Sequence, residues 1–541
     1  MQRRNSSDVF PDEICELVLS YLEMKWIVKG CALISKQFYH VSKTIKFSLT
    51  LGNTLLADVM VYKSVKPFLT SEYMENLTEL NMRGILNGRE CVLEIAQSPH
   101  FNNLTKLTLD RTVGVSKGCF KQFGSKLSQL TCLKVANNEN GKPIVQSIVD
   151  AQYELTQLHL QKCNIDSESI TSICSCETMK LESLDLYFNE FEKEVVKTIA
   201  ENTVFNLTYL NLSSNMIGDY GATMIATSHN MSNLKSLHLH YCGISRKGCD
   251  AISHSDLLQN LETLDIGNND AGTKAITNLL STQNLPNLTY LYITKTIREY
   301  ESCPPYHCQY MKHLKHLIME SNLEPVKVLS KLSTTNLELT HLNLNKTTIH
   351  RPLFEVLSNS KFLSRLTTLG LCETHITEEC LGLLVGSEHM SNLTSLDLAS
   401  CSLTKNGVAN VCNSANMKNL KTINLMCNNI GNGGVKHIAE SPLMSQLTCL
   451  NLESTKIKDS AVKRLTSSAN MSQLRELSLS RNNIGLEGVK MLISCTNQMK
   501  SLHKLNISYN AFGERGMKLL TSSDFAKNLW ELKANQLYMK E

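Results

Sequence analysis

Residues 206–222 read NLTYLNLSSNMIGDYGA: leucines at 207, 210 and 212, an asparagine at 215, then a glycine-led apolar segment. The same text recurs along the chain. The pattern L-x-x-L-x-L starts at leucines 77, 104, 130, 155, 181, 207, 234, 261 and 288, and again at 314, 339, 366, 393, 420, 447, 474, 502 and 529. That is eighteen units spaced 25 to 28 residues apart, and the second and third pattern positions are apolar in every one. Eight residues after the first leucine stands Asn (138, 189, 215, 269, 322, 428, 482, 510), Cys (163, 242, 401) or Thr (112, 296, 347, 374, 455).

This spacing predicts a short strand that turns alternate leucines inward and leaves the residues between them exposed. Such strands stack in parallel at ~4.8 Å, so the exposed positions form one surface. The Asn, Cys or Thr falls where the chain turns inward, and its side chain is expected to satisfy backbone groups that would otherwise be buried unpaired. Segments such as IGDYGATMIA and IGNGGVKHIAE then carry apolar residues at helical spacing behind a glycine that permits the turn. No unit can bury its leucines alone, so one cooperative solenoid is expected over 77–541. The expected fold class is α/β, with parallel strands on one face, helices on the other and a small all-α head in front.

The repeat resembles the leucine-rich repeat, and its unit length with cysteine at some turns most resembles the cysteine-containing subclass. That resemblance implies a horseshoe with strands on its concave face.

Composition narrows the function. Apolar residues make up 42% and charged residues 19%, enough for a core. The formal charge is +4 and the basic residues form no stripe in the sequence, so no nucleic-acid partner is expected. No apolar run reaches a membrane span, and MQRRNSSDVFPDE is not a signal peptide, so no membrane association is expected. Nineteen cysteines without scaffold spacing point to reduced thiols and a cytoplasmic or nuclear address. The Asn-x-Ser/Thr triplets at Asn76, Asn103, Asn206, Asn287 and Asn392 each precede a repeat leucine and read as by-products of the repeat.

Residues 1–46 carry a different period. Pro11 can start a helix, Asp12 and Glu13 complement its dipole, and Ile14, Leu17, Val18 and Leu22 mark one face. So small a domain cannot bury that face alone, which leaves it to a partner. Phe10-Pro11, Asp12-Glu13, Ile14, Leu17, Ser20-Tyr21-Leu22, Ile34-Ser35-Lys36 and Phe38 resemble an F-box, with Phe10 where the family has Leu and Phe38 where it has Trp. The resemblance implies a Skp-type adaptor and a cullin scaffold as partners, with Pro11, Ile14, Leu17, Leu22, Ile34 and Ser35 facing the adaptor. Residues 47–76 read as an irregular unit that caps the first repeat.

Catalytic signatures are missing from the text: there is no phosphate-cradling loop, no H-E-x-x-H and no G-x-S-x-G. Cys303, His307, Cys308, His313 and His316 are metal-capable, but their spacing is too short for a zinc finger, so no metal and no cofactor is expected. The text after Leu529 is too short for the catalytic domain of bacterial leucine-rich-repeat ligases. The expected function is therefore a non-enzymatic substrate receptor of a cullin ubiquitin ligase, holding a target on the repeats. The alternative is a scaffold or inhibitor resembling ribonuclease inhibitor. The target surface is expected where small polar face positions give way to rings: Tyr187, Phe188, Tyr209, His238, His240, Tyr241, Tyr290, Tyr292, His316 and His341.

Overall fold

The computed structural model describes residues 72–86, 88–112, 127–189, 191–297, 311–323, 325–333, 337, 339–495 and 498–535, together with 47–51, 60–61, 66, 69 and 120. The proposed head and its adaptor-facing residues Pro11, Ile14, Leu17, Leu22, Ile34 and Ser35 lie outside them, as does most of 52–71.

The chain divides into two compact units, Met1–Ile244 with Ser255–Leu261, and Ser245–His254 with Glu262–Glu541. In the first, strand Phe47–Leu51 pairs in parallel with Leu77–Arg83. The ladder continues in chain order through Lys106–Asp110, Cys132–Ala136, Gln157–Gln161, Ser183–Asp185, Tyr209–Asn211 and Ser236–His238. In the second, parallel strands run from Thr263–Asp265 through Tyr290–Tyr292 and His316–Ile318 to Glu531–Lys533. Each unit is thus a solenoid segment of stacked parallel strands, as the repeat pattern predicts.

The predicted register holds at side-chain level. Leu207, Leu210 and Leu212 are fully buried, as are Leu393, Leu396 and Leu398. Burying one such side chain contributes about 1.5–3 kcal/mol. Helices such as Gly218–Thr227 and Gly431–Glu440 return between strands and bury Ile225 and Ile438. Gly218 has φ +60°, the left-handed conformation that its place at the turn requires. At Gly434 a Cβ would lie 2.6 Å from the Cβ of Ile430, so only glycine lets this helix start so close to the chain before it.

The turn residue works as its chemistry predicts. Asn189 is 2% exposed. Its Nδ2 donates to the carbonyls of Leu160 and Leu186 at 2.6 and 3.0 Å, and its Oδ1 accepts from the amides of Cys163 and Ile165 at 2.9 and 3.2 Å. Asn428 repeats the arrangement with Leu398, Leu425, Cys401 and Leu403. A cysteine at this place supplies the donor half: Cys163 Sγ reaches the Val135 carbonyl at 3.2 Å, and Cys401 Sγ that of Leu371 at 2.9 Å.

Two further devices recur that the sequence reading did not name. The residue before this turn position is left-handed, with φ between +49° and +59° from Arg111 to Tyr509. Its amide donates to the next repeat, as Lys162 does to the Tyr187 carbonyl and Ser454 to that of Ser480. The second device is Ser-x-x-Met after the helix. Ser414, Ser441 and Ser468 donate Oγ to the carbonyls of Val385, Cys412 and Ala439 at 2.5–2.6 Å, while Met417, Met444 and Met471 are fully buried. Each helix end is thereby tied to the one before it.

Candidate binding surface

Register decides which side chains meet. In the first unit Lys134, His159, Asp185, Asn211 and His238 form one row across five strands. Beside it runs the row Gln157, Ser183, Tyr209 and Ser236. The His159 and Tyr209 rings stack with centroids 6.1 Å apart and planes 7° apart, and Tyr209 meets His238 at 5.3 Å. His159 Nε2 is 3.0 Å from Ser183 Oγ. Burial, helped by the nearby Lys134 ammonium, pushes the His159 imidazole down to about 4, against the opposing pull of Asp185. This histidine is neutral at physiological pH. Asp185 is 2% exposed and accepts from the Tyr187 amide and Gln161 Nε2.

Tyr187 and Phe188 lie at the end of the same strand face, 6.0 Å apart. Lys162 Nζ sits 5.4 Å from the Tyr187 centroid and 5.5 Å from that of Phe188. Phe188 and Tyr241 occupy the left-handed column, which turns them outward; they are 46% and 58% exposed. His240 is half-buried.

The second unit holds its own cluster. Tyr290, His316 and His341 stand at one register and stack in turn, with centroids 4.1 and 4.0 Å apart and planes 16° and 22° apart. Thr368 ends the run. Burial lowers the pKa of both histidines, and each sits beside the other's ring. Tyr292 is half-buried opposite Asp265, and burial raises its pKa. The ring residues anticipated from the sequence therefore form two clusters, one in each unit.

Beyond Thr368 the stacked rings give way to Ser395, Thr422 and Cys449 at the same register, while the backbone-capping bond of Asp185, Asn211, Asp265 and Asn343 continues. Asp397, Asn424, Asn451 and Asn506 each accept the amide two residues on, from Ala399, Met426, Glu453 and Ser508. These side chains serve the backbone.

The buried thiols of Cys163 and Cys412 are poor nucleophiles. Burial pushes Cys163 up to about 11 and Cys412 up to about 12, and both are enclosed. Among the described residues no three metal-ligating side chains come together, and no helix is long and apolar enough to cross a membrane. Cys303, His307 and Cys308 lie outside the described residues. His313 is exposed, and His316 belongs to the ring stack.

Comparison with known proteins agrees with the repeats. A Leucine Rich repeat family model matches residues 205–226, 230–253, 389–412, 416–439, 471–492 and 498–520. NACHT, LRR and PYD domains-containing protein 13 from Homo sapiens is 28% identical in a match covering 26% of this chain and 17% of that protein. The chain thus spans about a sixth of the length of this relative. A crystal structure of an internalin from Listeria monocytogenes is 17% identical, with a TM-score of 0.33, over 75% of this chain and 88% of that one.

Proposed function

We propose that this chain is a protein-binding scaffold that captures a protein partner on its strand face. One observation carries the reading: Tyr187, Phe188, Tyr209 and Tyr241 crowd three successive repeats with rings, Phe188 and Tyr241 well exposed, where the repeats starting at 393 and 447 hold Ala399, Ser400 and Ser395, and Glu453, Ser454 and Cys449, at the same offsets. Rigid aromatic side chains bury much area at small entropic cost and are enriched where binding energy concentrates. Chemistry is not its task in this reading, and it works in the cytoplasm or nucleus.

A finer reading is that of a cullin-ligase substrate receptor, which rests on the pattern from Phe10 to Phe38. In it Pro11, Ile14, Leu17, Leu22, Ile34 and Ser35 dock on a Skp-type adaptor, and the repeats hold the target near the ubiquitin carrier. The contribution is proximity, which makes a bimolecular encounter effectively intramolecular. Affinity purification from cells separates the two readings. A receptor brings the adaptor and cullin with it and loses both on Leu17→Asp or on deletion of residues 1–46. A scaffold brings neither.

A further inference from the structure

Beside the rings of the first unit lies a group of cations that the sequence disperses. Arg111, Lys134 and Lys162 are 23 and 28 residues apart in the chain, yet they belong to three adjacent repeats, Lys134 within its strand and Arg111 and Lys162 just past the ends of theirs. Arg111 and Lys162 share the left-handed column, two strand steps or ~10 Å apart, and Lys134 stands on the strand between them. Arg111 and Lys162 are exposed and Lys134 is half-buried.

Other charges of this face are matched. Lys106 pairs with Glu79 at 2.6 Å, and Arg83 with Asp110 at 2.8 Å. Asp110 also accepts from Asn137 Nδ2, and the Asp185 carboxylate is buried against Gln161 and the Tyr187 amide. Among the described residues no carboxylate lies within ion-pair distance of Arg111, Lys134 or Lys162. The Lys134 ammonium lies near enough to His159 to oppose protonation of its ring, after burial. Lys162 leans on the first two rings and joins the basic part to the aromatic part.

We propose that the first unit's strand face binds an acidic protein segment carrying an apolar or aromatic anchor. Its carboxylates meet Arg111, Lys134 and Lys162, and its anchor packs on Tyr187, Phe188 and Tyr209. From the Arg111 strand to the Tyr209 strand is four steps of ~4.8 Å, about 19 Å, the length of some six extended residues. Unmatched cations on one side favour a segment of opposite charge and reject a basic one, giving specificity and encounter rate. The rings make the footprint suit a peptide with a hydrophobic residue at one end of an acidic run. The inference rests on the reading of this face as a protein-binding surface and adds the chemistry of the partner.

The test is a peptide-display selection against the full chain, followed by fluorescence anisotropy on synthetic copies of the selected peptides. The expected peptides combine several Asp or Glu with one aromatic or aliphatic residue, and their binding weakens between 50 and 200 mM salt. Lys134→Glu with Lys162→Glu is expected to cut their affinity at least tenfold. Tyr187→Ala with Phe188→Ala is expected to cut it similarly. Both pairs should leave the melting temperature unchanged to within a few degrees. Neutral or basic peptides that depend on the rings but ignore the charge reversals would overturn the acidic-segment inference and leave protein capture standing. A single-stranded RNA oligonucleotide that displaces the acidic peptides and binds more tightly would also overturn it. Recovery of no peptide that depends on either pair would overturn both the inference and the proposed function.

Discussion

The Lys162 ammonium lies 5.4 Å from the centre of the Tyr187 ring, one strand on, and its residue's amide donates to the Tyr187 carbonyl at 2.9 Å. Backbone and side chain thus link the same two residues. The ladder bond fixes where Lys162 points, and the ring receives its charge. The surface chemistry of the first unit follows from repeat geometry, because register selects which distant residues become neighbours.

Replacing the turn asparagine tests the fold. Asn189→Leu strands the Leu160 carbonyl and the amides of Cys163 and Ile165 in the interior and is expected to cost at least about 2 kcal/mol. Asn189→Cys retains a donor, as Cys163 does, and should cost less. Leu210→Ala and Leu396→Ala should each cost about 2–5 kcal/mol. Chemical denaturation followed by circular dichroism measures all four, and equal stabilities for the leucine and cysteine replacements would contradict the hydrogen-bond account.

The left-handed column makes an independent prediction. Ser454 has φ +55°. Ser454→Gly removes a steric penalty and should be neutral or stabilising, whereas Ser454→Ile should cost about 1–2 kcal/mol. Thermal melting of the pair checks the order.

Acid should act through His159. Its folded pKa of about 4 lies below the ordinary value of 6.5, so below pH 6.5 the unfolded chain takes a proton that the folded chain refuses. This site's stabilisation is full above pH 6.5 and is lost as pH falls from there towards 4. Lys134→Gln removes a repelling charge and should raise the His159 midpoint. An NMR titration that finds His159 titrating near 6.5, unmoved by Lys134→Gln, would contradict this.

Much of this was legible in the sequence because it is periodic. The leucine register, the Asn/Cys/Thr turn and the glycine-led helices each follow from one repeat read eighteen times. The ring residues were visible as departures from that period, and register showed that they collect in two clusters, with Tyr290, His316 and His341 stacked in the second. Hidden features were those that depend on a neighbour one repeat away. Lys134 reads as one lysine among many until its strand is set beside that of His159. His159 itself was not anticipated, because nothing local marks a histidine that stacks on a tyrosine two strands on. The left-handed column escaped notice because its residues share a conformation and not a type: Arg111, Phe188, Ser214 and Cys427 all belong to it.

The central claim is that the rings of the strand face hold a protein partner. The most direct measurement takes a partner identified by cross-linking in cells and measures its affinity for purified variants by isothermal titration calorimetry. One set carries Tyr187→Ala and Tyr209→Ala; the other carries Ser395→Ala and Ser478→Ala, face positions chosen because their side chains support no amide in the way Asn451 does. The account predicts a loss of tenfold or more in the first set and less than twofold in the second. Equal losses in the two sets, or losses confined to the serines, would contradict it.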